Sequence, residues 1–257
     1  MSESIAVVSN GVSSGVSTWR EVLIKRYFLA ASIVMLAILV VGFAPTLLFR
    51  PAFKVPPIPM YLFVHGAVLF AWFVWFFFQT ALVAIHRTDL HRRSGIVGVL
   101  IATCVVAVSV FTIVSYLPRM REMGTDFAAE GTRLAAGIVG DCLMLVQFIP
   151  IVARAVLWRS RPEIHKRLMF LASLAILGPA GSRLPATFGA LGLTPVAAPF
   201  VAFIVFTVGA PIVYDVLTRR RLHIATIVCV LANVGGVVAG FMIAGNQTAR
   251  EFILNAL

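Results

Sequence analysis

Seven stretches of this chain are each long and apolar enough to cross a lipid bilayer as a helix, and no other feature restricts the fold so strongly. Crossing the hydrocarbon core takes about 20 consecutive, mostly apolar residues. The qualifying runs occupy residues 27–48, 60–84, 95–117, 134–157, 168–190, 195–217 and 223–244. Connections between them are short, so successive helices must be antiparallel neighbours, and no soluble domain has room between them. The expected fold class is all-α, an integral membrane bundle of seven transmembrane helices over 25–245. A flexible segment, 1–24, precedes it and a short tail, 246–257, follows.

Charge decides which way up the bundle sits. Lys and Arg gather on the cytoplasmic side of membrane proteins. Of the 21 basic residues, fourteen fall on the side of Arg20, Lys25, Arg26, Arg87, Arg92, Arg93, Arg154, Arg159, Arg161, Lys166, Arg167 and Arg219 to Arg221. The other seven are Arg50, Lys54, Arg119, Arg121, Arg133, Arg183 and Arg250. The N-terminus is therefore expected in the cytoplasm and the C-terminus outside. A net charge of +11 would suit nucleic acid if it formed a basic face on a soluble domain. Here it lies in the connections, so the expected partners are the bilayer and its anionic headgroups at the cytoplasmic face, not nucleic acid. Self-association stays open. The first residues lack the basic and apolar regions of a cleaved signal. Cys104, Cys142 and Cys229 lie inside apolar runs and read as small buried hydrophobes rather than a disulfide or metal framework.

A repeat opens the odd-numbered helices. Arg87-Thr-Asp-Leu-His91-Arg92-Arg93 is echoed by Arg161-Pro-Glu-Ile-His165-Lys166-Arg167, more loosely by Arg219-Arg-Arg-Leu-His223, and by Arg20 to Arg26 with Ile24 in the His place. Much of it is helix-start grammar: Thr88 or Pro162 begins the helix, an acid occupies the first turn, and Asp89–Arg93 and Glu163–Arg167 are spaced as i,i+4 pairs. That grammar needs no histidine. Recurrence one turn into the helices puts imidazoles at one depth, which fits either interfacial structure or a ligand site built on His91, His165 and His223 with Arg92 and Arg167 beside them.

Ionisable groups inside a span are costly and mark candidate sites. His65, Asp141 and Arg183 reach similar depth in the outer part of the bilayer, and Asp141 is expected to meet Arg183 with His65 alongside. Gly178-Pro179 breaks the fifth helix just before Arg183 and frees backbone carbonyls that something must satisfy. Gln79, Gln147 and Asn233 are the other deep polar residues, each readable as an interhelical hydrogen bond.

The segments His65-Gly66 through Trp72, Gln79 to Val83, Leu90-His91-Arg92-Arg93-Ser-Gly95, Arg161 to Met169, Arg183-Leu-Pro185, Tyr214-Asp215 and Arg221-Leu-His223 resemble a family of bacterial multi-pass membrane proteins to which no activity is attached. The resemblance covers about 45–225 and implies a bacterial inner-membrane location. His65-Gly66 and His91-Arg92-Arg93-Ser-Gly95 are also similar to transmembrane b-type cytochromes of the ascorbate-dependent and ferric-reductase kinds, which hold haem between histidines of facing helices. That similarity implies haem b or a metal ion at a single inner site on His91 and His165, with His223 near; His65 has no partner histidine in the outer half. Three functions stand open: a haem- or metal-linked redox protein, a proton-coupled transporter using His65, Asp141 and Arg183, and a sensor or assembly protein. The usual soluble catalytic motifs are absent, and the last helix carries no lysine for a retinal Schiff base.

Overall fold

The computed structural model describes residues 3–47, 49–50, 57–193 and 195–256, with side chains at residue 24 and from 26 onward, Ala256 excepted. The Arg20 to Leu23 and Lys25 side chains of the loosest repeat copy, and Lys54, fall outside what is described. Every element among the described residues is helical: α1 (Glu3–Leu47), α2 (Met60–Ala84), α3 (Thr88–Glu122), α4 (Phe127–Leu157), α5 (Pro162–Ala175), α6 (Gly178–Gly181), α7 (Leu184–Ala190), α8 (Ala198–Arg219), α9 (Ile224–Gly245) and α10 (Gln247–Ala256). Six of them are long and apolar enough to span a membrane, α1 from Arg26 onward; α5 with α6 and α7 forms a further apolar stretch bent by 46°.

Local chemistry explains the boundaries. Asp126 accepts from the backbone N–H groups of Ala128 and Ala129 (2.8 and 3.2 Å), capping α4. Pro162 opens α5 where a missing N–H costs nothing. Asn246 accepts from the Ala249 N–H at 2.9 Å and so separates α10 from α9. The α5 break follows from Pro179, whose ring clashes with a helical carbonyl four residues back and which supplies no N–H there. That carbonyl belongs to Ala175, the last residue of α5.

Helix α5 is the axis of the bundle. Every residue from Arg167 to Leu177 except Met169 is buried, whereas the six surrounding spans bury only 17–33% of their apolar windows and leave the rest for lipid. Helices α4, α8 and α9 enclose α5, and α6 and α7 press on α1. Glycine permits the closest approaches. A Cβ on Gly42 would lie 2.4 Å from the Ala180 carbonyl oxygen, and one on Gly181 would lie 2.4 Å from the Phe203 ring. Trp72, Phe73, Phe148 and Phe170 fill the core around this axis, and the Trp72 indole N–H donates to Ser173 Oγ at 3.2 Å.

Contacts sort the helix termini into two ends. His91 near the start of α3 meets His165 near the start of α5, which reaches Ala155 near the end of α4. Arg167 joins Asp215 near the end of α8, which joins His223 at the start of α9. These termini share one end, here called the basic end. At the other end, Leu117, Leu134 and Ile138 form a second core with Ile253 and Leu254 of α10. The C-terminal residues expected as a short tail thus include a helix seated on the bundle; Arg121 Nη2 donates to the Leu254 carbonyl at 2.7 Å, and Arg250 Nη1 to Thr132 Oγ1 at 3.2 Å.

Candidate functional site

The basic end brings two of the singled-out histidines together. His91 and His165 have ring centroids 6.2 Å apart and planes inclined by 72°. Helix α5 carries His165 at its first turn, and the ring turns back so that Nδ1 faces the Ala155 carbonyl oxygen at 2.8 Å. A nitrogen facing a carbonyl must carry the proton, which leaves Nε2 with its lone pair free. His91 Nδ1 is buried without a hydrogen-bond partner among the described residues.

Two more orphaned atoms continue this seam along α2 and α3. Gln79 donates through Nε2 to Ser94 Oγ at 2.8 Å, and Ser94 in turn donates to the Leu90 carbonyl, but Gln79 Oε1 is buried and unpaired. One turn deeper, Trp75 stands against Gly98 with its indole Nε1 also unpaired. Buried polar atoms are almost always hydrogen-bonded, because leaving one unmet costs about 1–3 kcal/mol. Three along one seam call for water or a bound group.

Arg167 and His223 are not part of that seam. The Arg167 guanidinium, 2% exposed, donates from Nε to Asp215 Oδ1 at 2.8 Å, from Nη1 to the Glu163 carbonyl (2.6 Å) and carboxylate (2.8 Å), and from Nη2 to Thr218 Oγ1 at 3.3 Å. It also lies over the Tyr214 ring at 4.9 Å. With four of its five N–H donors engaged, it clamps α5 to α8. Asp215, fully buried, takes the His223 backbone N–H at 2.8 Å on Oδ2 and a hydrogen bond from the Thr226 side chain. The His223 side chain caps α9 through Nδ1, which accepts from the Ala225 N–H at 3.1 Å. Burial first, and then the Arg167 and Arg219 charges, hold His223 below the usual histidine value. Of the two acid-before-base pairs expected, Glu163–Arg167 forms, while Asp89 turns to Arg87 at 3.4 Å instead of Arg93. Arg92 is exposed beside His91.

Asp141 and Arg183 do not touch. Among the described residues they form no ion pair, because Arg183 Nη1 donates to the Pro179 carbonyl at 2.6 Å in its own turn and the guanidinium lies 4.7 Å from the Phe43 ring centroid. Asp141, His65 and Tyr116 stay within its electrostatic reach. Gln147 packs against α9, where Gly236 makes room for its Nε2, and its Oε1 is buried and unpaired. Asn233 donates to the Cys229 carbonyl one turn back, at 2.9 Å.

Asp215 is the residue whose task the sequence concealed. It stood in a Tyr-Asp motif without a role, and the available signal was that a lone acid at a helix end beside basic residues needs a buried partner. For metals, no group of three or more His, Cys, Asp or Glu side chains lies close enough to chelate an ion among the described residues. A protein-only zinc site needs three or four such ligands. His91 and His165 meet edge to face and supply two imidazoles, fewer than that number. No family model, curated protein or solved structure matches this chain.

Proposed function

We propose that this multi-pass membrane protein binds one redox-active metal centre, haem b before a bare metal ion, on the imidazoles of His91 and His165. The observation that carries the reading is the facing pair at 6.2 Å, one ring oriented by a backbone carbonyl and the other holding a buried, partnerless nitrogen. Donation from His165 Nδ1 to Ala155 fixes the tautomer and makes Nε2 a better ligand, the usual outer-shell arrangement at metal-bound histidine. Gln79 and Trp75 add polar atoms to the same seam, and exposed Arg92 is placed to face an anionic edge. Bound there, haem would supply one-electron transfer near one face of the membrane. The resemblance to b-type cytochromes points the same way.

The proposed setting is a bacterial inner membrane, with seven crossings, the basic end in the cytoplasm and the α10 end outside. The positive-inside imbalance supports the orientation. Support for seven comes from α8: it ends beside Arg167 at the basic end, while Gly181 lies under Phe203 near its start, the arrangement expected if the broken α5–α7 stretch makes one crossing.

An absorption spectrum with metal analysis, on protein purified in mild detergent beside the double variant His91→Ala/His165→Ala, tests the proposal. A Soret band and stoichiometric iron, both lost in the variant, are expected. A colourless, metal-free wild type overturns it.

A further inference from the structure

The geometry points to a second site, remote from the histidine pair: a monocarboxylate-binding cleft on Arg183, in the half of the bundle where α6 interrupts the central helix. Arg183 has five N–H donors. One meets the Pro179 carbonyl at 2.6 Å, and no other is taken by a described residue. The side chain is exposed although three other helices bring groups near it: Phe43 of α1 against the guanidinium, and Tyr116 of α3 and Asp141 of α4 within electrostatic reach. It therefore lines a cleft instead of a packed core. A cation with most of its donors unmet, this far along a membrane-spanning stretch, is costly unless something fills the space.

Two further side chains lie within electrostatic reach of Arg183: Asp141, and a His65 whose ring is also hydrogen-bonded to the Val108 backbone. Asp141 forms no ion pair with Arg183, and His65 Nδ1 is buried without a partner among the described residues. Three polar groups from three separate elements thus approach one another without contact. A bridging ligand accounts for this better than a packing role, which would have closed the Asp141–Arg183 gap.

The chemistry of the walls selects the ligand. A planar guanidinium presents paired donors that match a carboxylate bidentately. Phosphate would bring more charge than one arginine can balance beside an aspartate. The Phe43 face favours an apolar body behind the acid group. Asp141 is the resident counter-charge: it neutralises Arg183 across the gap when the cleft is empty and repels a second anion when one arrives. A free aromatic or short-chain acid and a lipid-derived fatty acid share this chemistry.

Isothermal titration of the full-length protein in detergent with benzoate, as the free solute, and laurate, as the lipid-derived acid, tests the site. Wild type should bind one of them, and which one names the source. Arg183→Gln should weaken binding about tenfold or more, the scale of losing hydrogen bonds to a charged group. Asp141→Asn removes the competing anion and should tighten binding several-fold. Binding of neither acid by wild type, equal binding by Arg183→Gln, or weaker binding by Asp141→Asn would each overturn the proposal. Because Asp141→Asn reads out by a gain, it decides the matter even if Arg183→Gln does not fold.

Discussion

Removing the Asp215 carboxylate tests whether the α5–α8 clamp holds the bundle together. In Asp215→Ala, Arg167 remains 2% exposed and loses its 2.8 Å Nε contact, while the His223 N–H and the Thr226 hydroxyl lose their acceptor. Breaking one side of a buried ion pair costs about 3–5 kcal/mol, because the remaining charge stays in a low-dielectric setting. Glu163 still holds Arg167 Nη1, but its side chain is 59% exposed and compensates weakly. We therefore expect about 3 kcal/mol, the lower part of that range. Arg167→Met/Asp215→Leu removes both charges and fills the space, so it should recover most of the loss. Unfolding in mixed micelles with increasing SDS, followed by circular dichroism, gives the stabilities of wild type, Asp215→Ala, the double variant and its two single variants. If Asp215→Ala costs under about 1 kcal/mol, or if the double variant is as unstable as the sum of the single ones, the clamp is not an energetic unit.

Other perturbations carry definite expectations. Gly42→Ala drives a Cβ into the Ala180 carbonyl and Gly181→Ala into the Phe203 ring; overpacking of this kind costs about 1–3 kcal/mol, whereas Gly66→Ala and Gly95→Ala meet nothing within 4 Å and should be neutral or mildly stabilising in the same unfolding assay. Ser173→Ala strands the Trp72 indole N–H and should cost about 1–2 kcal/mol of stability, with a changed tryptophan fluorescence spectrum as the check. His223 titrates below its ordinary 6.5 in the folded chain, so on acidification the unfolded chain takes up the proton first. The native state is thus disfavoured as pH falls through 6.5 and unaffected above it; Glu163, Arg167, Asp215 and Arg219 are the charges facing the ring. His223→Asn keeps a capping side chain and should flatten that part of the stability profile, and an unchanged slope would remove His223 as its source. For orientation, Glu122→Cys should react with a membrane-impermeant thiol reagent on intact cells and Leu222→Cys should not; the reverse pattern inverts the topology.

Periodicity and length located the spans from sequence because lipid imposes one rule on all of them: about 20 apolar residues for each crossing. Equal depth of His91 and His165 was also legible, since both sit four residues past the arginine that opens the repeat. Depth carries no azimuth, however. It could not tell that His165 faces His91 while His223 turns to the Asp215 cluster, a choice made by how α5, α8 and α9 rotate against each other. The same gap explains Asp141 and Arg183, whose matched depth suggested contact. Pro179 bends the chain, and the guanidinium lies over the Phe43 ring with one N–H given to its own turn, leaving Asp141 out of contact. Local i,i+4 spacing succeeded for Glu163–Arg167, where Asp215 fixes the arginine from the far side, and failed for Asp89, where exposed Arg87 is nearer. The docked α10 was hidden because ten residues with two charges look like a polar tail until Ile253 and Leu254 find the start of α4.

The enclosed position of α5 also bears on how the protein is made. A segment carrying Lys166, Arg167, Ser173, Gly178-Pro179 and Arg183 partitions poorly into lipid on its own, since it has cations toward both ends and a backbone break between them. Its socket is finished by α8 and α9, which emerge from the ribosome later. During synthesis, then, the fifth segment must wait, held at the insertion machinery or against α4, until Asp215 arrives to receive Arg167. A chain truncated before α8 would leave this segment exposed to membrane quality control, and its steady-state amount should collapse even though every earlier span is intact.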